Sequence, residues 1–136
     1  MLRARQELSF RTLSLHNPEQ AGIVANHIIA DRLIARLSPG GGTFLDIGVQ
    51  YGAVFAAARR QNPTLNVIAF EAEPAKATKL KAAFPCCRIF DLAVGEKDGV
   101  ATFYLNPGAS GFDSLVPGER GNRVPIEVRV AALDNL

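Results

Sequence analysis

The stretch Phe44-Leu45-Asp46-Ile47-Gly48-Val49-Gln50-Tyr51-Gly52 constrains this chain more than any other. Its apolar run, Phe44-Leu45 continued by Ile47, reads as a buried strand of a parallel sheet, central and covered on both faces. Gly48 and Gly52 open backbone conformations and close approaches that a Cβ forbids. From Gly52 the residues Ala53-Val54-Phe55-Ala56-Ala57-Ala58-Arg59-Arg60 predict a helix, with two arginines in the last turn where the helix dipole favours cations. A strand, a glycine turn and a helix N-terminus form a nucleotide cradle at the carboxyl end of a sheet.

Two ligand classes use such a cradle. A dinucleotide calls for G-x-G-x-x-G, with its pyrophosphate at the helix N-terminus. This chain has Asp46-x-Gly48-x-x-x-Gly52, with Gln50 where a middle glycine would stand. An acidic residue at the strand end suits a cationic ligand better than a pyrophosphate. S-adenosylmethionine, a sulfonium with an ammonium and no phosphate, fits that description. The competing reading is a plain strand-to-turn junction.

The chain beyond this stretch reads as α/β. Asn17-Pro18-Glu19 predicts a helix start with Asn17 as cap, and Ile23, His27, Ala30, Ile34 and Leu37 form its apolar stripe. His27 reads as a packed residue of that stripe. Ser38-Pro39-Gly40-Gly41-Gly42 is a joint, which divides the chain into an N-terminal segment, 1–38, and a main domain, 39–136. Gln61-Asn62-Pro63 stops the helix after the glycine turn, and Leu65–Phe70 is a second strand with Glu71 at its end. Glu71 lies 19 residues after Gly52, near the spacing at which an acidic side chain bonds the ribose in a nucleotide-binding βαβ unit. Glu73 is its neighbouring competitor. Pro74 opens a helix to Phe84 whose Lys76, Lys79 and Lys81 read as a solvated face. Cys87–Asp91 is a third strand, ending Asp91-Leu92-Ala93-Val94-Gly95. At its end Asp91 and Leu92 are candidates for the adenine, Asp91 as acceptor from the amino group and Leu92, or Val94, against the ring face. Glu96–Gly99 predicts a hairpin turn, Val100–Leu105 a strand, and Val124–Val130 a half-exposed strand antiparallel to it.

Composition excludes several classes. A net charge of +2 gives no electrostatic footprint for nucleic acid or an anionic membrane. No apolar run reaches the roughly 18 residues of a membrane span, and no signal-peptide core follows the N-terminal arginines, so the expected location is the cytoplasm. Cys86 and Cys87 are adjacent and too few for a disulfide framework. No metal site is expected.

The order of the pieces resembles the FkbM family of S-adenosylmethionine-dependent methyltransferases over about residues 40–136. The residues that carry the resemblance are Phe44–Gly48 with Gly52, Val67–Pro74, Ala93-Val94-Gly95, Asp98-Gly99, Phe103-Tyr104, Asp113-Ser114-Leu115, and Val128-x-Val130 leading to Leu133-Asp134. The resemblance implies a Rossmann-like class I methyltransferase sheet and methyl transfer to a hydroxyl of a sugar or secondary metabolite. By match, Asp46, Gly48 and Gly52 would line the methionine and ribose side, and Gln50 between them can still donate a hydrogen bond to the cofactor. Glu71 would hold the ribose, and Asp91 with Leu92 would lie near the adenine. The catalytic base is not named by it. Val49-Gln50 departs from the family's Ala-Asn. The family also continues into a further strand, so the expectation is the N-terminal part of the domain, cut before the fourth parallel strand. That sheet would have an open edge, suited to self-association or a complementing chain. The competing functional readings are a non-catalytic adenosylmethionine-binding subunit and, less well supported, half of a nicotinamide-dependent oxidoreductase.

Overall fold

The computed structural model describes Ala25 and residues 28–30, 32–34, 36–37, 40–107, 113–118 and 122–136. The described residues before Gly40 are helical, in line with the expected first helix. Its expected start at Asn17-Pro18, and His27 on its stripe, lie outside the described residues.

From Thr43 the chain runs β1 (Thr43–Ile47), α1 (Ala53–Gln61), β2 (Asn66–Phe70), α2 (Pro74–Ala83) and β3 (Arg88–Phe90). It continues through β4 (Ala93–Val94), β5 (Gly99–Leu105), β6 (Val124–Ala131) and a 3₁₀ turn, Leu133–Asn135. The fold is α/β. β1, β2 and β3 form a three-stranded parallel sheet in that order, with Leu45 beside Ile68 and Ile68 beside Arg88. The alternation of parallel strands with helices follows from apolar strands separated by helix-forming runs with Pro or Gly at their boundaries. Two compact units divide the chain: Met1–Gly42 with Ala56–Leu65, and Thr43–Phe55 with Asn66–Leu136.

Within the second unit the core gathers on β2, where Val67, Ala69 and Phe70 are buried. Phe55 is fully buried and meets Phe84 edge-on at 4.7 Å, a geometry worth about 0.5–1.5 kcal/mol beyond the area it covers. In α2, Pro74 sits in the first turn and Ala77 and Leu80 are buried.

Three expectations are corrected. β1 is not central among the described strands, where it pairs only with β2. Nor is it covered on both faces, since Leu45 and Ile47 are 45% and 51% exposed while Phe44 and Asp46 are half-buried. An apolar run specifies a strand without specifying how many of its faces are packed. Secondly, Ala93–Val94 does not extend the third strand. It leaves the parallel sheet and pairs with β6 in a second sheet ordered β4-β6-β5. Thirdly, Glu96–Gly99 does not close a hairpin, because β6 lies between β4 and β5. The antiparallel pairing of β5 with β6 is as expected. Asp98 holds the connection to the 3₁₀ turn, its carboxylate accepting from the Ala132 N–H at 2.8 Å and the Asn135 side-chain amide at 3.0 Å. Ala93, Phe103 and Val128 form the core of the second sheet.

Among the described residues no helix is long and apolar enough to cross a membrane.

Candidate functional site

The turn after β1 is sewn onto the end of β2. Gly48 N–H and Val49 N–H donate to the Phe70 carbonyl at 3.0 and 3.3 Å, and Gly52 N–H donates to the Val49 carbonyl at 2.9 Å. Gln50 N–H donates to Glu71 Oε2 at 2.8 Å. These bonds need a left-handed backbone: φ is +80° at Gly48, +57° at Gln50 and +77° at Gly52. The two glycines adopt it freely, whereas Gln50, which carries a Cβ, sits there under strain.

Glu71, at the end of β2, is 5% exposed. Besides Gln50 N–H it takes Glu73 N–H on Oε1 at 3.0 Å. A buried carboxylate is tolerated here because each oxygen has a donor. Each oxygen also keeps a second lone pair for a ligand hydroxyl.

A cavity of about 400 Å³ opens beside this turn. Ile47, Gly48 and Gln50 line it from the turn, and Phe70, Glu71 and Ala72 from the end of β2. Leu92, Ala93 and Val94 line it from the chain leaving β3. Phe103 and the segment Asp113-Ser114-Leu115 close the far side, with Lys76 at the start of α2.

Of the candidate residues, Gly48, Gln50, Glu71 and Leu92 thus meet at one cavity. Asp46 and Gly52 are not among the residues that line it. Asp46 accepts a hydrogen bond from the Phe55 backbone, and burial, opposed only in part by that bond, raises its carboxyl above the usual range. Its Oδ2 is shielded from water and has no hydrogen-bond partner. Gly52 packs against the Phe55 ring and Leu80. Asp91 is not among the cavity residues. Its carboxylate accepts from Arg129 at 2.7 Å and lies 3.4 Å from Lys81, on an exposed surface. Partial burial pushes its carboxyl up, but hydrogen bonds from its own backbone and Lys81, with the charges of Lys81 and Arg129, outweigh that and lower it.

Sequence reasoning missed Lys76, Phe103 and the role of Asp113. Lys76 is not a solvated residue: its side chain is 12% exposed and its Nζ lies 2.6 Å from Glu73 Oε2 and 2.5 Å from Asp113 Oδ2. Burial alone would lower its pKa, but the bonds to Asp113 and Glu73 and their charges outweigh it and raise it. The Glu73–Lys76 spacing of one helical turn was a visible signal. Asp113, which is 6% exposed at its side chain, left no local signal. Among the described residues no group of three His, Cys, Asp or Glu side chains is arranged to hold a metal.

The chain matches no family model, no curated protein and no solved structure.

Proposed function

We propose that the chain binds S-adenosylmethionine in this cavity and serves methyl transfer to the hydroxyl of a small molecule, a sugar or secondary metabolite. The observation that carries the reading is where the turn's donors go. A phosphate cradle works through backbone N–H groups aimed at the ligand. Here the N–H groups of Gly48, Val49, Gln50 and Gly52 are taken by acceptors of the protein, and Phe55 N–H at the start of α1 is taken by Asp46. The lysine in the cavity lining is held by two carboxylates. Counting Glu71, Glu73 and Asp113 against Lys76 leaves the lining and its margin at net −2. Such a surface repels a pyrophosphate and attracts a cation.

The residues fit the proposed cofactor on the same grounds. When bound, its sulfonium supplies a methyl group to an acceptor oxygen. Glu71 would hold ribose hydroxyls with its remaining lone pairs. Leu92 and Ala72 give an apolar rest for the adenine. Asp46 holds the start of α1 through the Phe55 backbone, and the net negative lining would favour a cationic group. The contribution of these residues to rate is orientation of donor and acceptor, a proximity effect.

The three-stranded parallel sheet is, in this reading, part of a Rossmann-like class I methyltransferase sheet, with a further strand beside β1 at the edge that no described strand pairs. That edge favours a second reading: an adenosylmethionine-binding subunit that acts through association with a complementing chain. Turnover with and without such a chain separates the two.

Calorimetric titration with S-adenosylhomocysteine and, in parallel, NAD⁺ and NADP⁺ tests the cofactor. Saturable binding of the first alone is the expected result. Binding of either dinucleotide without S-adenosylhomocysteine binding would overturn the proposal.

A further inference from the structure

The cavity's far wall is fixed more firmly than its sequence suggests. Ser114 and Tyr104 exchange backbone hydrogen bonds at 2.8 and 3.1 Å, which docks the segment on β5. Ser114 Oγ accepts from Val116 N–H at 3.0 Å, tightening the following turn. Asp113 then spends both carboxylate oxygens: Oδ1 on the Asn106 N–H at 2.6 Å and Oδ2 on Lys76 at 2.5 Å.

These bonds form one continuous polar chain. It starts at Gln50 N–H, passes through the Glu71 carboxylate to Glu73 N–H, and continues from the Glu73 carboxylate to Lys76 and Asp113, ending at Asn106 N–H. The glycine turn, the end of β2 and the opposite wall are therefore tied through buried or half-buried groups. Networks of this kind hold each member's geometry, because loss of one partner leaves the next buried and unsatisfied.

We infer that Asp113 and Lys76 are positioning residues that hold Leu115, with Phe103, as the wall closing this cavity over the base of a nucleoside ligand. The inference rests on the cofactor reading above and deepens it. Leu92 and Val94 line the cavity from the chain leaving β3, and Leu115 and Phe103 line it from the second sheet and its neighbouring segment. A planar, uncharged base suits a space bounded by these apolar groups, and the ribose edge then falls to Glu71. Neither Asp113 nor Lys76 has to touch the ligand. Their effect passes through the place they give to residues 113–115.

The test uses the full chain with Asp113→Asn, Lys76→Met, Lys76→Arg and Leu115→Ala, titrated with S-adenosylhomocysteine and with 5′-methylthioadenosine, which lacks the amino-acid part. Thermal unfolding confirms that each variant is folded. Asp113→Asn and Lys76→Met are expected to weaken both ligands by about tenfold, within the range a coupling between contacts transmits. Lys76→Arg keeps the bridge and restores most of the affinity. Equal losses for the two ligands assign the wall to the adenosine end, a pattern that general destabilisation does not produce together with the arginine rescue. Leu115→Ala removes the wall without touching the polar chain, and Leu115 is 38% exposed, so this variant keeps the test open if the charge variants do not fold. Unchanged affinity in folded Lys76→Met or in Leu115→Ala overturns this inference and leaves the cofactor reading standing. Failure of the unaltered chain to bind either ligand overturns both.

Discussion

Replacing Gly52 by alanine isolates what the turn demands of its backbone. Two costs add there. The residue sits at φ +77°, where a Cβ costs roughly 1–2 kcal/mol, offset in part by the lower unfolded-chain entropy of alanine, about 0.4–1 kcal/mol. The new Cβ would also lie 2.8 and 2.9 Å from two atoms of the Phe55 ring and 3.1 Å from Leu80 Cδ2. Phe55 has no room to yield, being fully buried and set edge-on against Phe84. Overpacking of such a site costs about 1–3 kcal/mol, so Gly52→Ala is expected to destabilise by about 2–4 kcal/mol. Gly48→Ala is the internal control. Its φ is +80°, but an added Cβ meets nothing within 4 Å, so only the backbone cost remains, about 1 kcal/mol after the entropy offset. Urea unfolding followed by far-ultraviolet circular dichroism reads both, with the m-value showing whether the unfolding unit is unchanged. Equal costs for the two variants would refute the close approach of Gly52 to Phe55. Negligible costs for both would refute the left-handed turn itself.

Other outcomes follow from the charged groups. Asp46→Asn should raise the urea midpoint of the ligand-free chain at neutral pH. Because burial raises the Asp46 pKa, the folded state binds the proton more tightly, so wild type loses stability as pH rises from the ordinary carboxyl value of 3.8 to the higher folded value. The variant should lack that component, and identical pH slopes would refute it. Lys76 behaves in the opposite range. Its pKa is raised, so its contribution is complete below 10.5 and is lost as pH climbs through the higher folded value. Lys76→Met should therefore show a shallower alkaline fall in urea midpoint than wild type. Asp91→Ala should change stability by less than about 1 kcal/mol, as exposed ion pairs do, and leave ligand affinity unaltered. A loss of affinity in that variant would return Asp91 to the site.

The parts legible in the sequence are those encoded locally. The strand, turn and helix from Thr43 to Gln61 follow from an apolar run, two glycines and an alanine-rich stretch within a few residues of one another. Glu71 was legible because the connection from the glycine turn to the second strand end has a narrow length. The parts that were not legible depend on pairings distant in sequence. Ala93 and Val94 look like the tail of a third strand until Val130 and Ala131 arrive beside them. Asp91, one strand end along from Glu71, matches it in residue type and position, yet Arg129 on β6 takes its carboxylate. Lys76 gave half of its environment in the spacing to Glu73. The other half, Asp113, comes from a segment that shares no periodicity with α2. The apolar character of Leu45 and Ile47 told of a strand and could not tell of an uncovered face.

Glu71 shows why a loss of binding on mutation would not by itself identify a ligand contact. Both of its oxygens accept backbone N–H groups, from Gln50 and Glu73. In Glu71→Gln one oxygen becomes an amide that donates. It would then face one of those N–H groups donor to donor, leaving a buried group unsatisfied at a cost of about 1–3 kcal/mol. The turn at Gln50, already in a left-handed conformation, would loosen, and affinity would fall whether or not a ribose ever touches Glu71. The discriminating measurement changes the ligand as well. If Glu71 holds the ribose, 2′-deoxy-S-adenosylhomocysteine should bind wild type about tenfold more weakly than the parent, the worth of one hydrogen bond to a charged group at about 1.5 kcal/mol. In Glu71→Gln that gap should narrow, because the charged acceptor is gone from both sides of the comparison. A gap of the same size in both proteins would assign Glu71 to the turn alone and require another residue for the ribose.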